Sequence, residues 1–450
     1  MKLYSTNNTN LRVSFKDAVF NSMPQDQGLY MPVHIPCLDA DFIKNMAHYS
    51  FSQIAFHVAD RLLAGLIPSN DLKRIIEDAI NFDAPVIALD ATTFVLELFH
   101  GPSLAFKDFG ARFMSRVMSY FLQDGARELN VLVATSGDTG GAVALGFLNM
   151  PNTRVTILFP KGKVSPIQEM QLTTHGQNIR AIAIDGTFDD CQALVKQAFA
   201  DPELSTKFRL TSANSINIAR LIPQTFYYFY AYAQIQKRGK LEVVFSVPSG
   251  NFGNIAAGLL AYKMGLPVKQ FLAASNSNDT VPAFLNTGIY KPKPSVQTYS
   301  NAMDVGNPSN WVRILDLFDH DTNALKKVIT GYSFSDDATI QAIHKIYDNH
   351  RYIVCPHTAI AWLALKEWQS KNQAQAAGVF LSTAHPCKFP EVFPNQIATH
   401  IDVPQQVKEL KNRVSKAVCL SKHFNDFKIN MLQQQYAVAR NTIKKLLNKN

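Results

Sequence analysis

The sequence VLVATSGDTGGAVALGF at residues 131–147 runs from an apolar segment through a small polar turn into a helix-like segment. The sequence LEVVFSVPSGNFGNIAAGLLAY at residues 241–262 repeats this order. Each apolar segment is short and rich in β-branched residues, which is typical of a strand buried on both faces. A strand followed directly by a helix is the repeating unit of an α/β fold, so both segments predict a parallel sheet.

The same alternation continues over most of the chain. Before about residue 90 the sequence instead mixes polar segments with helical patterns at residues 42–49 and 72–80, the second with Asn70 and Asp71 as candidate caps. The fold class is therefore predicted to be α/β with open, layered sheets. Further strands are predicted at residues 155–159 (VTILF), 179–184 (IRAIAI) and 378–382 (GVFLS).

Three parts of the chain differ in composition and pattern. We assign residues 1–90 to an N-terminal module, 91–404 to the α/β region and 405–450 to a basic segment that is predicted to be helical. Residues 286–310, rich in Pro, Asn and Ser, predict an extended loop. The aromatic run at residues 226–232 has helical spacing, which predicts packing rather than base stacking.

The formal net charge of +9 is concentrated at the end of the chain. Residues 403–450 contain ten Lys and Arg against two Asp and Glu, so the other 402 residues are close to neutral. We therefore expect no basic face within the fold, no nucleic-acid partner and a solvated terminal segment. A nucleic-acid-binding tail is the alternative interpretation.

Composition indicates a folded protein of a reducing compartment. The 450 residues are 47% hydrophobic and 18% charged, which excludes wholesale disorder. The five widely spaced Cys predict no disulfide framework. The first ten residues, MKLYSTNNTN, lack the apolar core of a signal peptide, and no apolar run is long enough to span a bilayer. A cytoplasmic protein without membrane contact is expected.

The two polar turns, at residues 135–141 and 249–254, are candidate anion sites. Glycine lets the backbone approach a ligand closely, and a helix start offers free N–H groups and a positive dipole end. Neither turn matches G-x-G-x-x-G or the G-K-[ST] of a P-loop, which weakens a nicotinamide or ATP interpretation. Ordinary tight turns are the alternative, but two turns so dense in Ser, Thr, Asn and Gly favour ligand binding.

Lys107, within HGPSLAFKDFG at residues 100–110, is the candidate reactive amine. It follows Phe106 in apolar surroundings, and burial lowers the pKa of a lysine because it penalises the charged form. A neutral amine can attack an aldehyde and form a Schiff base. The alternative is a surface lysine paired with Asp108. Together with two anion-binding turns, a Schiff-base lysine predicts pyridoxal phosphate as the cofactor.

Five segments carry a resemblance to a known family: HGPSLAFKDFGARFM, TSGDTGGAVA, SANSINIARL, SVPSGNFGNIAAG and LSTAHPCKF. They resemble the threonine synthases, which belong to the pyridoxal-phosphate enzymes of fold type II, the tryptophan synthase β-like group. The resemblance extends from the N-terminal residues, QGLY at 27–30 included, to about residue 395. It implies open, mostly parallel sheets flanked by helices in two subdomains, with a smaller N-terminal module.

The resemblance also implies which residues hold the cofactor. Lys107 would carry pyridoxal 5'-phosphate as a Schiff base and later move protons. Thr383 would meet the pyridine nitrogen, and its neutral hydroxyl would leave that nitrogen largely unprotonated; a turn or capping threonine is the alternative. The cup for the cofactor phosphate, mainly through backbone N–H groups, would consist of Gly250, Asn251, Phe252, Gly253 and Asn254.

For the substrate, the resemblance implies two further groups. Asn214 and Arg220 would bind its phosphate, for which a guanidinium fork has the right geometry; a surface ion pair is the alternative for Arg220. The reaction would convert O-phospho-L-homoserine and water to L-threonine and phosphate by γ-elimination and β-addition of water, the last step of threonine biosynthesis. The protein would be a monomer or a small homo-oligomer with small-molecule partners. The loop for the amino-acid carboxylate would be Ser136, Gly137, Asp138 and Thr139.

Other interpretations have less support. Cys355-Pro-His357 and His385-Pro-Cys387 suggest zinc ligands, but their one-residue gaps are shorter than the usual two to four, so no metal is predicted. A serine/threonine dehydratase or a cysteine synthase would share Lys107 without needing Arg220. A regulatory protein that lost its activity would not need Lys107.

Overall fold

Three sheets organise the computed structural model, which describes residues 1–122, 127–239, 241–372 and 376–433. One is a three-stranded antiparallel sheet close to the N-terminus, and the other two have six and five strands. The large sheets are parallel except for one edge strand. The predicted α/β class, with mostly parallel open sheets and an N-terminal module, is confirmed.

The N-terminal module consists of β1 (Lys2–Ser5), β2 (Asn8–Ser14), α1 (Phe15–Asn21), β3 (Tyr30–Pro32), α2 (Ala40–Asn45), α3 (Phe51–Leu63) and α4 (Ser69–Ala79). The helix predicted at 42–49 is shorter than expected, because α2 gives way to a 3₁₀ turn at Met46–His48. The predicted caps of α4 are wrong. Its N-cap residue is Pro68, so Asn70 and Asp71 lie inside the first turn.

The next part of the chain forms the edge of the six-stranded sheet and most of the five-stranded sheet. Every residue of the strand that ends at Ala134 is buried, as predicted for a strand covered on both faces. The elements are β4 (Val86–Ala88), β5 (Thr93–Glu97), α5 (Lys107–Phe121), β6 (Leu129–Ala134), α6 (Asp138–Phe147), β7 (Thr153–Pro160), α7 (Pro166–Thr173), β8 (Ile179–Asp185), α8 (Phe188–Ala200), α9 (Pro202–Lys207), β9 (Arg209–Ser212), α10 (Ile218–Leu221) and α11 (Gln224–Gln236).

The remaining elements complete both large sheets. Their strand orders are β12-β11-β10-β13-β5-β4 and β14-β8-β7-β6-β9. A last helix covers residues 424–433. The elements before it are β10 (Glu242–Pro248), α12 (Gly253–Lys263), β11 (Val268–Ser275), α13 (Thr280–Thr287), α14 (Trp311–Leu317), α15 (Thr322–Val328), β12 (Ile329–Ser333), α16 (Asp336–His350), α17 (Pro356–Asn372), β13 (Ala376–Ser382), α18 (Asn395–Ala398), α19 (Gln405–Leu410) and β14 (Val418–Ser421).

The sequence located the interior of each predicted strand correctly. β6, β7, β8, β10 and β13 overlap the predicted segments and differ from them by one to three residues at the ends. The aromatic run at 226–232 lies in α11 and packs in the core, as predicted. Between α13 and α14 the only regular structure among the described residues is a 3₁₀ turn at Asn301–Met303, in agreement with the predicted loop.

The sequence predicted that the segment after residue 404 is helical, and this is only partly correct. Val418–Ser421 forms β14, which runs parallel to β8 and closes the edge of the five-stranded sheet. A four-residue edge strand has no periodicity of its own that a sequence could reveal. Residues 434–450 of the predicted basic tail lie outside the described part. Within that part, no helix is long and apolar enough to cross a membrane.

Phe427→Ala is expected to lower the free energy of unfolding by about 3–5 kcal/mol, because it leaves a cavity beneath the last helix. Phe427 is fully buried and packs in one cluster with Leu194, Val195 and Phe208. Ile429→Ala on the same helix is the control; its side chain is 53% exposed, so a change within about 0.5 kcal/mol is expected. Urea unfolding checks both, and equal small losses would mean that the helix contributes little to the fold.

Candidate active site

The turn between β6 and α6 contains one position, Gly137, where only glycine can be accommodated. Gly137 has a φ of 134°, and a Cβ there would come within 2.4 Å of the side chain of Gln168. The hydroxyl of Thr135 accepts the N–H groups of Gly137 and Gly140, both at 2.9 Å. Ser136 and Thr139 are half-buried on this turn. The turn therefore presents small polar side chains and a helix start at the carboxyl end of β6.

Lys107 is the first residue of α5 and faces this turn. Its side chain is 15% exposed, and its Nζ lies 3.6 Å from Oδ2 of Asp138. Burial lowers the pKa of Lys107, Asp138 opposes this, and Lys388 and Arg220 lower it further. The alternative of a surface lysine paired with Asp108 is wrong. Asp108 is fully buried, and its Oδ2 accepts the N–H of Ser103 at 2.8 Å.

Asp138 is a buried carboxylate shared by two lysines. Nζ of Lys388 lies 2.6 Å from its Oδ1, and Nε2 of Gln168 donates to the same oxygen at 2.9 Å. Burial acts to raise the pKa of Asp138, but Lys388 and then Lys107 hold it well below its usual range. The side chain of Asp138 is thus fully engaged within the protein.

Thr383 lies beside the segment that carries Lys107. Its backbone carbonyl accepts the N–H of Phe106 at 2.9 Å, and the residue is buried. Ala384 and Ala105 form an isolated antiparallel bridge next to this bond. The turn after β13 and the start of α5 are therefore in direct contact.

The turn between β10 and α12 forms a concave backbone at the same sheet edge. Phe252 precedes α12 in the left-handed conformation with a φ of 60°, which is strained for a residue other than glycine. A Cβ on Gly250 would approach Cα of Met303 to 2.5 Å. The first N–H groups of α12, from Gly253 onward, have no acceptor within the helix and can bind an anion.

Asn254 adds an unpaired donor to this turn. Its Oδ1 accepts the hydroxyl hydrogens of Tyr227 at 2.6 Å and Tyr228 at 2.7 Å. Its Nδ2 is buried without a hydrogen-bond partner. The ring of Tyr227 contacts that of Phe109 on α5, with centroids 5.2 Å apart. One continuous set of contacts therefore connects this turn to the helix that begins at Lys107.

Asp304 fixes the loop that covers Gly250. Its Oδ1 accepts the hydroxyl of Thr298 at 2.7 Å and Nδ2 of Asn276 at 2.9 Å, and its Oδ2 accepts the N–H of Thr298 at 3.0 Å. Burial raises the pKa of Asp304 to about 6, against the effect of these hydrogen bonds.

Asp304→Asn is expected to change how stability depends on pH. Between about pH 4 and 6 the folded protein keeps a proton on Asp304 that the unfolded chain has lost, so this group lowers the free energy of unfolding as pH rises. The side chain of the variant cannot ionise. The free energy of unfolding of the variant minus that of the parent should therefore be larger at pH 7.5 than at pH 4.5, by on the order of 2 kcal/mol. The lost acceptor for Thr298 costs the same at both values. Urea unfolding at the two pH values measures this difference, and a pH-independent difference would contradict the prediction.

Arg220 lies against the first turns of α5. It is 3% exposed, and a Cβ on Gly110 would lie 2.7 Å from its Nε. Its Nη1 donates to the carbonyl of Ala213 at 2.5 Å, whereas Nε is buried without a partner. Burial lowers its pKa to about 10, and Asp108 opposes this. Because the side chain is buried, the alternative of a surface ion pair is wrong.

Asn214 and Ser215, on the segment that precedes Arg220, contact the two glycine turns. Nδ2 of Asn214 lies 3.5 Å from the carbonyl of Ala134, and its Oδ1 is buried without a partner. Nδ2 of Asn251 donates to the hydroxyl of Ser215 at 2.6 Å. The structure thus brings together the segments that carry all the residues singled out in the sequence.

Sequence reasoning missed two buried residues at this site, Lys388 and Gln168, and considered His357 only as a zinc ligand. Nε2 of His357 accepts the N–H of Ala302 at 3.2 Å, and burial lowers its pKa to about 3. Lys388 had a usable signal, since it lies between the apolar residues Cys387 and Phe389, and Lys107 likewise follows an apolar residue, Phe106. Among the described residues, no three His, Cys, Asp or Glu side chains cluster as metal ligands.

This set of groups fits a phosphorylated aldehyde. The start of α12 and the unpaired Nδ2 of Asn254 suit a phosphate, and Lys107 supplies an amine whose charged form is disfavoured by burial. Thr383 contacts Phe106, the residue before Lys107, through its backbone carbonyl. The fold and the site define a pyridoxal-phosphate-dependent enzyme of fold type II.

Comparison with known proteins gives the same class and then a particular family. A family model described as pyridoxal-phosphate dependent enzyme matches residues 83–383. Models of the threonine synthase N terminus and of the threonine synthase C-terminal part match residues 2–80 and 358–428. The chain belongs to the threonine synthase family, whose members are pyridoxal-phosphate-dependent lyases of amino-acid biosynthesis.

Individual relatives agree over almost the whole chain. Threonine synthase of Escherichia coli is 44% identical over 409 residues, which cover 91% of this chain and 94% of the relative. Its crystal structure superposes with a TM-score of 0.89 over 96% of this chain and all of that one. A pyridoxal-phosphate-bound threonine synthase from Brucella melitensis is 34% identical, with a TM-score of 0.86 over 94% of this chain and 97% of that one.

Fold type II enzymes of other activities are more distant. A threonine deaminase from Solanum lycopersicum is 16% identical with a TM-score of 0.55, over 84% of this chain and 93% of that one, and shares the fold alone. The dehydratase alternative therefore has no support beyond the fold. The match of the C-terminal model to residue 428 also corrects the expectation that the resemblance ends near residue 395.

Proposed function

We propose that this enzyme acts on O-phospho-L-homoserine and water to give L-threonine and phosphate, with Lys107 as the covalent attachment site of the cofactor. The observation that carries the choice of substrate is Arg220. Its guanidinium is buried beside α5 with Nε unpaired, and a buried cation of this kind needs an anion. The phosphate of the substrate would supply that anion.

Residues of both subdomains would hold the cofactor. The N–H groups of Gly250, Asn251, Phe252, Gly253 and Asn254, with Nδ2 of Asn254, would bind its phosphate. Thr383 would face its ring nitrogen. When bound, pyridoxal phosphate supplies an electron sink for the negative charge that develops on the substrate.

Lys107 would move the proton at Cα of the substrate. Burial disfavours the ammonium form of Lys107, so the amine can accept this proton and return it later. The substrate carboxylate would bind to N–H groups and hydroxyls of the turn formed by Ser136, Gly137, Asp138 and Thr139. Asp138 would contribute its N–H, because its carboxylate would repel the substrate and is engaged by Lys388 and Gln168.

Arg220 and Asn214 would stay bound to the phosphate of the substrate while it leaves Cγ. Donors that are fixed before the reaction and point at developing charge lower the barrier without reorganisation. Departure of the phosphate would also require loss of a proton from Cβ, Cγ would gain a proton, and water would then add at Cβ. The cytoplasmic location, and assembly as a monomer or small homo-oligomer, stay predictions; all five cysteines are free, which suits a reducing compartment.

The test is to measure phosphate release from O-phospho-L-homoserine and ammonia release from L-threonine with the same holoenzyme. We expect phosphate and L-threonine in equal amounts from the first substrate, and far slower ammonia release from the second. L-Homoserine, which lacks the phosphate, is the control and should give no product. Faster release of ammonia than of phosphate would refute the proposal.

A further inference from the structure

Lys388 is a buried cation in contact with the turn that faces Lys107. It lies in a 3₁₀ turn at Pro386–Lys388, after β13, and its side chain is fully buried. Its ammonium donates to the carbonyl of Ser103 at 2.9 Å and lies 2.6 Å from Oδ1 of Asp138. A buried lysine is rare unless it is paired, so Asp138 is the partner that permits this burial.

Asp138 therefore has two lysines and a single negative charge. Lys388 holds Oδ1 at 2.6 Å, whereas Lys107 lies 3.6 Å from Oδ2. The other charged or titratable groups that act on Lys107 are Arg220 on α10 and His357 on α17, and neither is an acid. Two ammonium groups and a guanidinium beside one carboxylate leave an uncompensated buried charge, which is costly.

A second acid does not resolve this imbalance. Asp108 is the other buried carboxyl near Lys388, and its charge also acts on Arg220, so two ionised carboxylates would still face three cations. The favourable way to balance the charges is to leave Lys107 as a neutral amine and to keep Lys388 as the ammonium partner of Asp138.

We propose that Lys388 is a positioning residue that lowers the proton affinity of the Lys107 nitrogen, because it holds the one carboxylate that both lysines share. This inference rests on the proposed function of Lys107. Lys388 would act through Asp138, to which its ammonium is bound, and not through contact with the reacting atoms. A neutral residue at 388 would leave Asp138 to Lys107, whose nitrogen would then retain its proton to higher pH.

The experiment uses the full-length holoenzyme and the variants Lys388→Met, Lys388→Gln and Lys388→Arg. Borohydride reduction followed by peptide mapping first locates the cofactor, and a lysine other than Lys107 would refute the proposed function rather than this inference. The visible absorption of the bound cofactor is then titrated against pH, which reports the proton on the Lys107 nitrogen. In the apoprotein, labelling of Lys107 by an amine-reactive reagent is measured over the same range.

Lys388→Met and Lys388→Gln are expected to raise the pH midpoints of the absorption titration and of the Lys107 labelling by about one pH unit or more. This is the usual effect of an opposite charge at this distance. Lys388→Arg should stay close to the parent enzyme. Gln168→Met is the matched control, since it removes a neutral donor to the same Asp138 oxygen without changing the charge, and should shift the midpoints less. A purely structural role of Lys388 would not move these midpoints.

Unchanged or lowered midpoints in the neutral variants would overturn the proposal. If neither neutral variant folds, the variant Asp138→Asn/Lys388→Met decides, because it removes both charges together, a replacement that buried pairs often tolerate. Its midpoints should lie at or below those of the parent enzyme, since no carboxylate remains to hold the proton. Midpoints above the parent values would refute the role of Asp138 and with it the proposal.

Discussion

Lys107→Ala is expected to remove the covalent bond to the cofactor and to reduce turnover by about 10³-fold or more, because the same amine binds the cofactor and moves the proton at Cα. The buried position of Lys107 beside Asp138 is the physical basis, since no other described lysine except Lys388 lies within 4.0 Å of that carboxylate. The yellow colour of the holoenzyme and the borohydride-reduced adduct should both disappear. Absorption spectroscopy, peptide mapping and phosphate release measure these three effects.

Lys163→Ala is the matched control for this experiment. Lys163 is exposed on the loop after β7, so colour and turnover should stay at parental levels. An adduct that persists in Lys107→Ala and maps to another lysine would show that the reactive amine had been assigned incorrectly. Because Lys388 is also buried beside Asp138, peptide mapping has to distinguish the two lysines directly.

Arg220→Met is expected to lower kcat/KM for O-phospho-L-homoserine by about 10²- to 10³-fold, because it removes charge-assisted hydrogen bonds to the phosphate in a site shielded from water. Nη1 of Arg220 donates to the carbonyl of Ala213, which lies outside the segments proposed to hold the cofactor phosphate. The absorption of the bound cofactor should therefore change little. Steady-state kinetics and cofactor absorption test the two parts separately.

Arg220→Lys separates charge from geometry. A lysine keeps the positive charge but loses the planar fork, so an intermediate loss of kcat/KM is expected. If the Met and Lys variants both retain parental kcat/KM, the phosphate binds elsewhere. A loss of cofactor absorption in Arg220→Met would indicate that the substitution has disturbed α5 through Gly110, where an added Cβ would lie 2.7 Å from Nε of Arg220.

The parts of the fold that the sequence predicted share one property: their signal is local. Residues 131–134 are a continuous apolar run and residues 241–247 are mostly apolar, and such runs indicate strands buried on both faces whatever they pair with. The polar turns that follow them, with Lys107, were recognisable for the same reason, because each motif is contiguous. The C-terminal strand Val418–Ser421 had no local signal, since its pairing with Ile182–Asp185 depends on a free sheet edge more than 200 residues earlier.

The amino-acid sequence by itself determined the α/β class, the two glycine turns, the candidate lysine and the family resemblance, because each is written in short contiguous segments. Only the tertiary structure decided how the charges of the site are paired. Asp108 follows Lys107 in the chain, yet Lys107 faces Asp138, and Lys388 reaches the same carboxylate from the turn after β13. Which of these partners meet depends on how the starts of α5 and α6 and the end of β13 pack together. Because the groups are buried, an unpaired charge is costly, and one carboxylate cannot neutralise two ammonium groups.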